Sequence, residues 1–130
     1  MTQSTFATYP SLKGKTVFIT GGASGIGAEL VRSFAAQGAR VGFVDLDEAN
    51  SQVLADTSEA IIYELCDLKD IKSLQNALAK LALRIGPATI LVNNAANDDR
   101  HSWQEVTPTY WDERLQTNLR HQFFAIQAVA

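Results

Sequence analysis

Residues Thr20 to Gly27 read Thr-Gly-Gly-Ala-Ser-Gly-Ile-Gly, and they join two segments of different periodicity. Before them lies an apolar, β-branched run, Thr16-Val-Phe-Ile19; after them Ile26, Leu30 and Phe34 recur at helical spacing. A strand therefore enters a glycine-rich turn, and the turn opens a helix. Such a turn suits a dinucleotide pyrophosphate. Its glycines allow positive φ and close approach of backbone to phosphate, and the helix N-terminus offers unpaired N–H groups and a positive dipole end. The strict Gly-x-Gly-x-x-Gly spacing is not met, because Gly25-x-Gly27 is followed three places on by Leu30. The chain carries the looser Thr-Gly-x-x-x-Gly-x-Gly.

The same alternation continues to the end of the chain. Gly38 is a C-cap for the first helix, and a short apolar strand over 40–44 ends at Asp45. A helix is predicted over 47–55, capped by Asp47 or Asp45, then a strand over 60–65 that closes on Cys66-Asp67. Ile71, Leu74, Leu78 and Leu81 mark one face of a helix over 69–83, which Gly86-Pro87 stops. A fourth strand over 88–92 runs into Asn93-Asn-Ala-Ala96. A polar loop through Arg100 and His101 follows. The last helix starts at Thr107-Pro108 and runs without a break through Leu115, Leu119, Phe123 and Ile126. Short, nearly all-apolar strands alternating with helices predict an α/β fold, a Rossmann-like doubly wound parallel sheet in three layers. Residues 1–130 read as part of one domain of this kind, with 1–12 as an irregular lead-in, ending after the fourth strand and its following helix.

Composition sets the surroundings. With 46% hydrophobic residues in 130, the chain can bury a single core. A net charge of −3 argues against nucleic acid or an anionic membrane as partner. No apolar run approaches the ~18 residues that span a bilayer, and the lead-in has no signal-peptide pattern. The single cysteine, Cys66, excludes an internal disulfide and fits a reducing, cytoplasmic setting. His101 and His121 lack neighbours at metal-ligand spacing, so no metal site is expected. Tyr9-Pro-Ser-Leu-Lys13 spells Tyr-x-x-x-Lys, but Pro10 follows the tyrosine directly and no helical pattern surrounds it, so it is set aside.

In a doubly wound sheet, ligands sit at the carboxyl ends of the strands near the switch point. Gly21 to Gly27, Asp45, Asp67 and Asn93 to Ala96 all fall there. Asp45, about 20 residues beyond the turn, can accept hydrogen bonds from ribose hydroxyls and would repel a 2′-phosphate. No Arg or Lys stands in the turn to attract one, which favours NAD over NADP.

Thr20 to Gly27, Asp67 and Asn93-Asn-Ala-Ala96 together resemble the short-chain dehydrogenase/reductase family, over nearly the whole chain. Ala96 replaces the family's usual glycine. The resemblance implies a cofactor site of Gly21, Ala23, Ser24, Gly25, Ile26, Gly27, Asp45, Leu46, Cys66, Asp67, Leu68, Asn94, Ala95 and Ala96. It gives Asp67 the adenine amino group, Asn93 the tie between strand four and the glycine turn, and Asn118 a part in a proton relay. Tyr9 to Lys15, Asn97-Asp-Asp-Arg-His101 and Trp111-Asp-Glu-Arg114 are similar to bacterial aldose dehydrogenases of the D-xylose 1-dehydrogenase type. That similarity implies a sugar or other alcohol as substrate, held by Asn97, Asp98, Asp99 and His101, whose polar groups suit a polyol.

The family's catalytic Ser and Tyr-x-x-x-Lys have no counterpart here and would lie beyond Ala130. The chain is thus expected to be inactive alone and to associate with itself through an open strand edge or an uncovered helix face. Two further readings are a non-catalytic dinucleotide-binding or self-association module, and a reductase acting on a ketone or steroid-like alcohol.

Overall fold

A computed structural model describes residues 6–130; residues 1–5 of the expected lead-in lie outside the described residues. Four strands, β1 (Thr16–Thr20), β2 (Arg40–Asp45), β3 (Ile61–Leu65) and β4 (Ile90–Val92), form one parallel sheet in the order β3-β2-β1-β4. The helices are α1 (Gly25–Ala36), α2 (Glu48–Ala55), α3 (Ile71–Ile85), α4 (Pro108–Leu115) and α5 (His121–Val129). The doubly wound α/β class expected from the sequence is the one found.

Alternation along β1 explains the layers, since successive strand side chains point to opposite faces. Val17 and Ile19, with Val41 and Phe43 of β2, pack on Ala28 and Val31 of α1 and Leu54 of α2. Phe18 and Val44 point the other way, onto Leu74, Leu78 and Leu81 of α3 and Ala125 of α5. Helix ends follow local chemistry. Asp47 accepts the Asn50 N–H at 3.0 Å, Asp70 the Ser73 N–H at 3.1 Å, and Thr107 the Tyr110 N–H at 3.1 Å. Asp47, rather than Asp45, is the cap of α2, and the backbone N–H of Asn50 holds its carboxyl below the ordinary carboxylate range.

One expected element is corrected. The single helix from residue 107 to the end is interrupted by a wide, π-type turn over Gln116–Arg120. The extra residue in that turn changes the helix phase. Residues His121 and Ala125 now face inward, and Leu119, Phe123 and Ile126 stand exposed. Tyr9 is exposed and precedes a short 3-10 turn; its N–H donates to Gln37 at the C-terminal end of α1, away from the glycine turn.

The strand order places the switch point between β1 and β4. From β1 the chain moves outward through β2 to β3, then crosses back to lay β4 on the other side of β1. Connections leaving the two adjacent strand ends therefore diverge, and a crevice opens between them.

Candidate functional site

That crevice is a cleft of about 620 Å³. Its walls are the carboxyl ends of all four strands: Gly21 and Ser24 to Gly27 after β1, Asp45 and Leu46 after β2, Cys66 to Lys69 after β3, and Asn94 to Ala96 after β4, joined by Asp98 and Thr117.

Two glycines of the turn have separate jobs. Gly25 takes φ +55°, where residues with a Cβ are strained, and a Cβ there would meet no atom of the described residues within 4 Å. Backbone is thus presented bare to the cleft. Gly27 faces the opposite way: a Cβ would stand 1.8 Å from the Gly21 carbonyl oxygen and 2.6 Å from Asn94 Nδ2. It lets α1 approach the end of β1. The first intrahelical bond runs from the Ala28 N–H to the Ser24 carbonyl, so the N–H groups of Gly25, Ile26 and Gly27 have no acceptor inside the helix. The Ser24 side chain does not cap them. A bare, donor-rich cradle of this kind fits a diphosphate.

Asp45 binds the turn to the second strand. Its Oδ2 accepts the Ala23 N–H at 3.0 Å and its Oδ1 the Asp47 N–H at 3.0 Å. Ala23, expected to touch a cofactor, instead has its N–H taken by Asp45 and its side chain buried in the core. A carboxylate has about four acceptor sites, so two anchoring amides leave lone pairs for ribose hydroxyls. Gly21 N–H donates to the Val44 carbonyl at 2.8 Å, fixing the start of the turn on β2. Asp67 is held similarly, its Oδ1 accepting the Lys69 N–H at 2.9 Å.

At the end of β4 the tie to the glycine turn is made by Asn94, not by Asn93. Asn94 Nδ2 donates to the carbonyls of Thr20 (3.1 Å) and Gly21 (3.0 Å). Thr20 Oγ1, fully buried, accepts the N–H groups of Asn94 (3.0 Å) and Ala95 (3.1 Å). Asn93 points elsewhere, with its Oδ1 buried and without a hydrogen-bond partner among the described residues. Strand alternation is the reason: β4 ends at Val92, and neighbouring asparagines leave on opposite sides.

The polar loop divides. Of the four residues expected to hold substrate, only Asp98 lines the cleft. Asn97 is clamped by its backbone: its N–H donates to Asn118 Oδ1 (2.7 Å), and its carbonyl accepts from Asn118 Nδ2 (2.9 Å) and Arg114 Nη1 (2.9 Å). Asn118 thereby fixes the loop, and its own carbonyl accepts from Gln122 at 3.0 Å. Asp99 turns outward toward Arg114, 4.0 Å away. His101 Nδ1 lies 2.9 Å from the Tyr110 hydroxyl, in a separate cleft of about 500 Å³ with Trp103, Trp111 and Leu115. Lys69 and Thr117 line the main cleft and were not expected there. Lys69 was within reach of the strand-end rule, two places past Asp67. Thr117 depends on the wide turn, which leaves no mark in the apolar pattern.

Two buried groups border this site. Burial pushes the Cys66 thiol above its ordinary value and keeps it protonated. Burial likewise lowers the pKa of His121, which is 0% exposed, against the opposing pull of the Ala95 and Thr117 backbone. Among the described residues no cluster of three metal-binding side chains occurs, and no helix is long and apolar enough to cross a membrane.

A parallel sheet wound both ways from a switch point, with a glycine turn and strand-end carboxylates around one cleft, defines a Rossmann-like protein. Within that class, residues 15–130 match the family model for short chain dehydrogenase, and the chain belongs to that family. It is 49% identical over 128 residues to D-xylose 1-dehydrogenase of Caulobacter vibrioides (strain NA1000 / CB15N), covering 95% of this chain and 50% of the relative. It is 45% identical over 127 residues to a Rhizobium meliloti (strain 1021) protein named "Probable galactose dehydrogenase GalD", covering 94% and 50%. Among solved structures, a blue fluorescent protein from a metagenomic library in complex with NADPH superposes with a TM-score of 0.85 at 33% identity, covering 91% of this chain and 51% of that one. The chain spans about half the length of the curated relatives it matches.

Proposed function

We propose that this chain binds NAD in the main cleft and forms the nucleotide-binding part of a dehydrogenase that oxidises a sugar hydroxyl. One observation carries the cofactor reading. Asp45 stands between the glycine turn and α2 with both carboxylate oxygens anchored by amides and spare lone pairs toward the cleft. It would accept the adenosine ribose hydroxyls and repel a 2′-phosphate. Lys69, the cation on the cleft wall, has its Nζ 3.6 Å from Glu113.

The remaining roles follow the walls. Amides of Gly25 to Gly27 would take the diphosphate, and Asp67 with Leu68 the adenine. Gly21, Asn94, Ala95 and Ala96 would flank the ribose side, with Leu46 and Cys66 completing the wall. Held by these residues, NAD would supply the hydride acceptor for oxidation of the alcohol carbon. No Ser with Tyr-x-x-x-Lys adjoins the cleft among the described residues. Sugar as the substrate class is supported by the relatives' names and by Asp98, the residue of the polar loop that lines the cleft.

Calorimetric titration of NAD and NADP into the chain and into Asp45→Ala tests this reading. NAD is expected to bind more tightly than NADP, and Asp45→Ala to weaken NAD by about tenfold, some 1.4 kcal/mol. NADP binding more tightly to the wild type, or equal NAD affinity in the variant, would overturn the assignment. For the substrate, NADH formation by the protein of the complete reading frame from xylose, arabinose, glucose and galactose is the check; no rate with any of them refutes it.

A further inference from the structure

Among residues that the proposed chemistry does not use, His121 is the one most tightly enclosed beside the cleft. It opens α5 directly after the wide turn, is 0% exposed, and holds its Nε2 3.0 Å from the Ala95 carbonyl. A carbonyl can only accept, so Nε2 carries the proton and donates. Nδ1 is buried and makes no hydrogen bond of good geometry among the described residues, although the backbone of Thr117, one turn earlier, also faces the ring. The shorter contact, to Ala95, fixes the proton on Nε2. A buried unpaired polar atom is unfavourable, and an apolar ring would fill the same space without one. What an apolar ring cannot supply is the donor to Ala95.

We propose that His121 is a positioning residue that holds the Ala95 carbonyl and so sets the β4 wall of the nucleotide cleft. Ala95 is gripped on three sides. Its N–H donates to Thr20 Oγ1 at 3.1 Å, its carbonyl accepts from His121 at 3.0 Å, and its Cα would lie 3.0 Å from a Cβ on Gly21. Thr20 and Gly21 belong to the far wall, so among the described residues the only hydrogen bond to Ala95 from the helix layer is that of His121. The wide turn over Gln116–Arg120 is what brings residue 121 inward; both neighbours, Arg120 and Gln122, are less buried. Through this contact the phase of α5 is coupled to Ala95 and Ala96, which line the cleft.

Isotope-labelled chain, with His121→Gln and His121→Phe, provides the test by nuclear magnetic resonance. Ring correlations in the wild type at neutral pH are expected to show the proton on Nε2; a proton on Nδ1 would overturn the proposal. His121→Gln keeps an N–H donor and is expected to retain the wild-type amide resonances of Ala95, Ala96 and Asn97, which His121→Phe displaces. Unmoved resonances in a folded His121→Phe, or equal displacement in both variants, would refute the positioning role. If His121→Phe does not fold, the wild-type tautomer and the His121→Gln spectrum still decide it. A nucleotide arm rests on the reading in the preceding subsection: NAD affinity is expected to fall about tenfold in His121→Phe and to stay within about threefold in His121→Gln. Absence of NAD binding in the wild type would sink the nucleotide reading alone, because tautomer and amide resonances are read without ligand.

Discussion

Replacing Gly27 with alanine tests the packing that builds the cleft. In an ordinary helix the change would stabilise by about 1 kcal/mol. Here the added Cβ would lie 1.8 Å from the Gly21 carbonyl oxygen, 2.9 Å from the Gly21 carbonyl carbon and 2.6 Å from Asn94 Nδ2. Two of these neighbours are backbone, so no rotamer change relieves them. Overpacking of this kind costs about 1–3 kcal/mol and sometimes more. Moving Asn94 aside also loosens its bonds to the Thr20 and Gly21 carbonyls, each worth about 0.5–1.5 kcal/mol. The net expectation is a loss of about 2–4 kcal/mol, read as a lower urea midpoint at unchanged slope. Gly25→Ala is the matched control: its Cβ meets open space, and only the positive φ opposes it, at about 1–2 kcal/mol. It should leave the fold largely intact and weaken nucleotide binding instead. A Gly27→Ala midpoint equal to the wild type would refute the close approach of α1 to β1.

Thr20→Val keeps the shape of a fully buried side chain but leaves the Asn94 and Ala95 N–H groups without their acceptor, so denaturant titration should record a loss of about 2–4 kcal/mol. Asn118→Leu removes both side-chain bonds to the Asn97 backbone, and faster hydrogen exchange at the Asn97 amide is the expected sign. Two pH effects have opposite signs. The folded state resists protonating His121, so the unfolded chain binds the extra proton below the ordinary value of 6.5; stability from this group is level above that pH and falls below it, by at most about 1.4 kcal/mol per pH unit, and the wild type minus His121→Gln difference isolates it. The Cys66 thiol is raised, so the unfolded chain loses its proton first above 9.0, and stability falls there with rising pH unless Cys66 is replaced by alanine.

Much of the cleft was legible in the sequence because the cues are local. A glycine turn between a β-branched run and a helical stripe, and a carboxylate closing a strand, depend on the backbone of a few adjacent residues. Gly21, Ser24 to Gly27, Asp45, Asp67 and Asn94 to Ala96 follow from cues of that kind, whereas Ala23, in the same run, goes to the core. Which of two adjacent asparagines turns inward depends on where β4 stops, and a strand of three residues leaves that end uncertain by one position. That single step exchanged Asn93 for Asn94. The stripe Leu115, Leu119, Phe123 and Ile126 has the same spacing with or without a wide turn between its members. It therefore read as one helix, although the break sends His121 inward and those apolar groups outward. The loop of Asn97 to His101 looked like one polar unit. Its division between two clefts follows from clamps by Arg114 and Asn118, contacts across 17 and 21 residues that no local pattern announces.

The most direct measurement of the nucleotide assignment is amide chemical-shift mapping of NAD onto the labelled chain. The largest changes are expected at Ser24 to Gly27, Asp45 to Leu46 and Asp67 to Leu68, in one saturable process that Asp45→Ala weakens. Shifts confined to the exposed faces of α4 and α5, or none at these strand ends at saturating NAD, would contradict it.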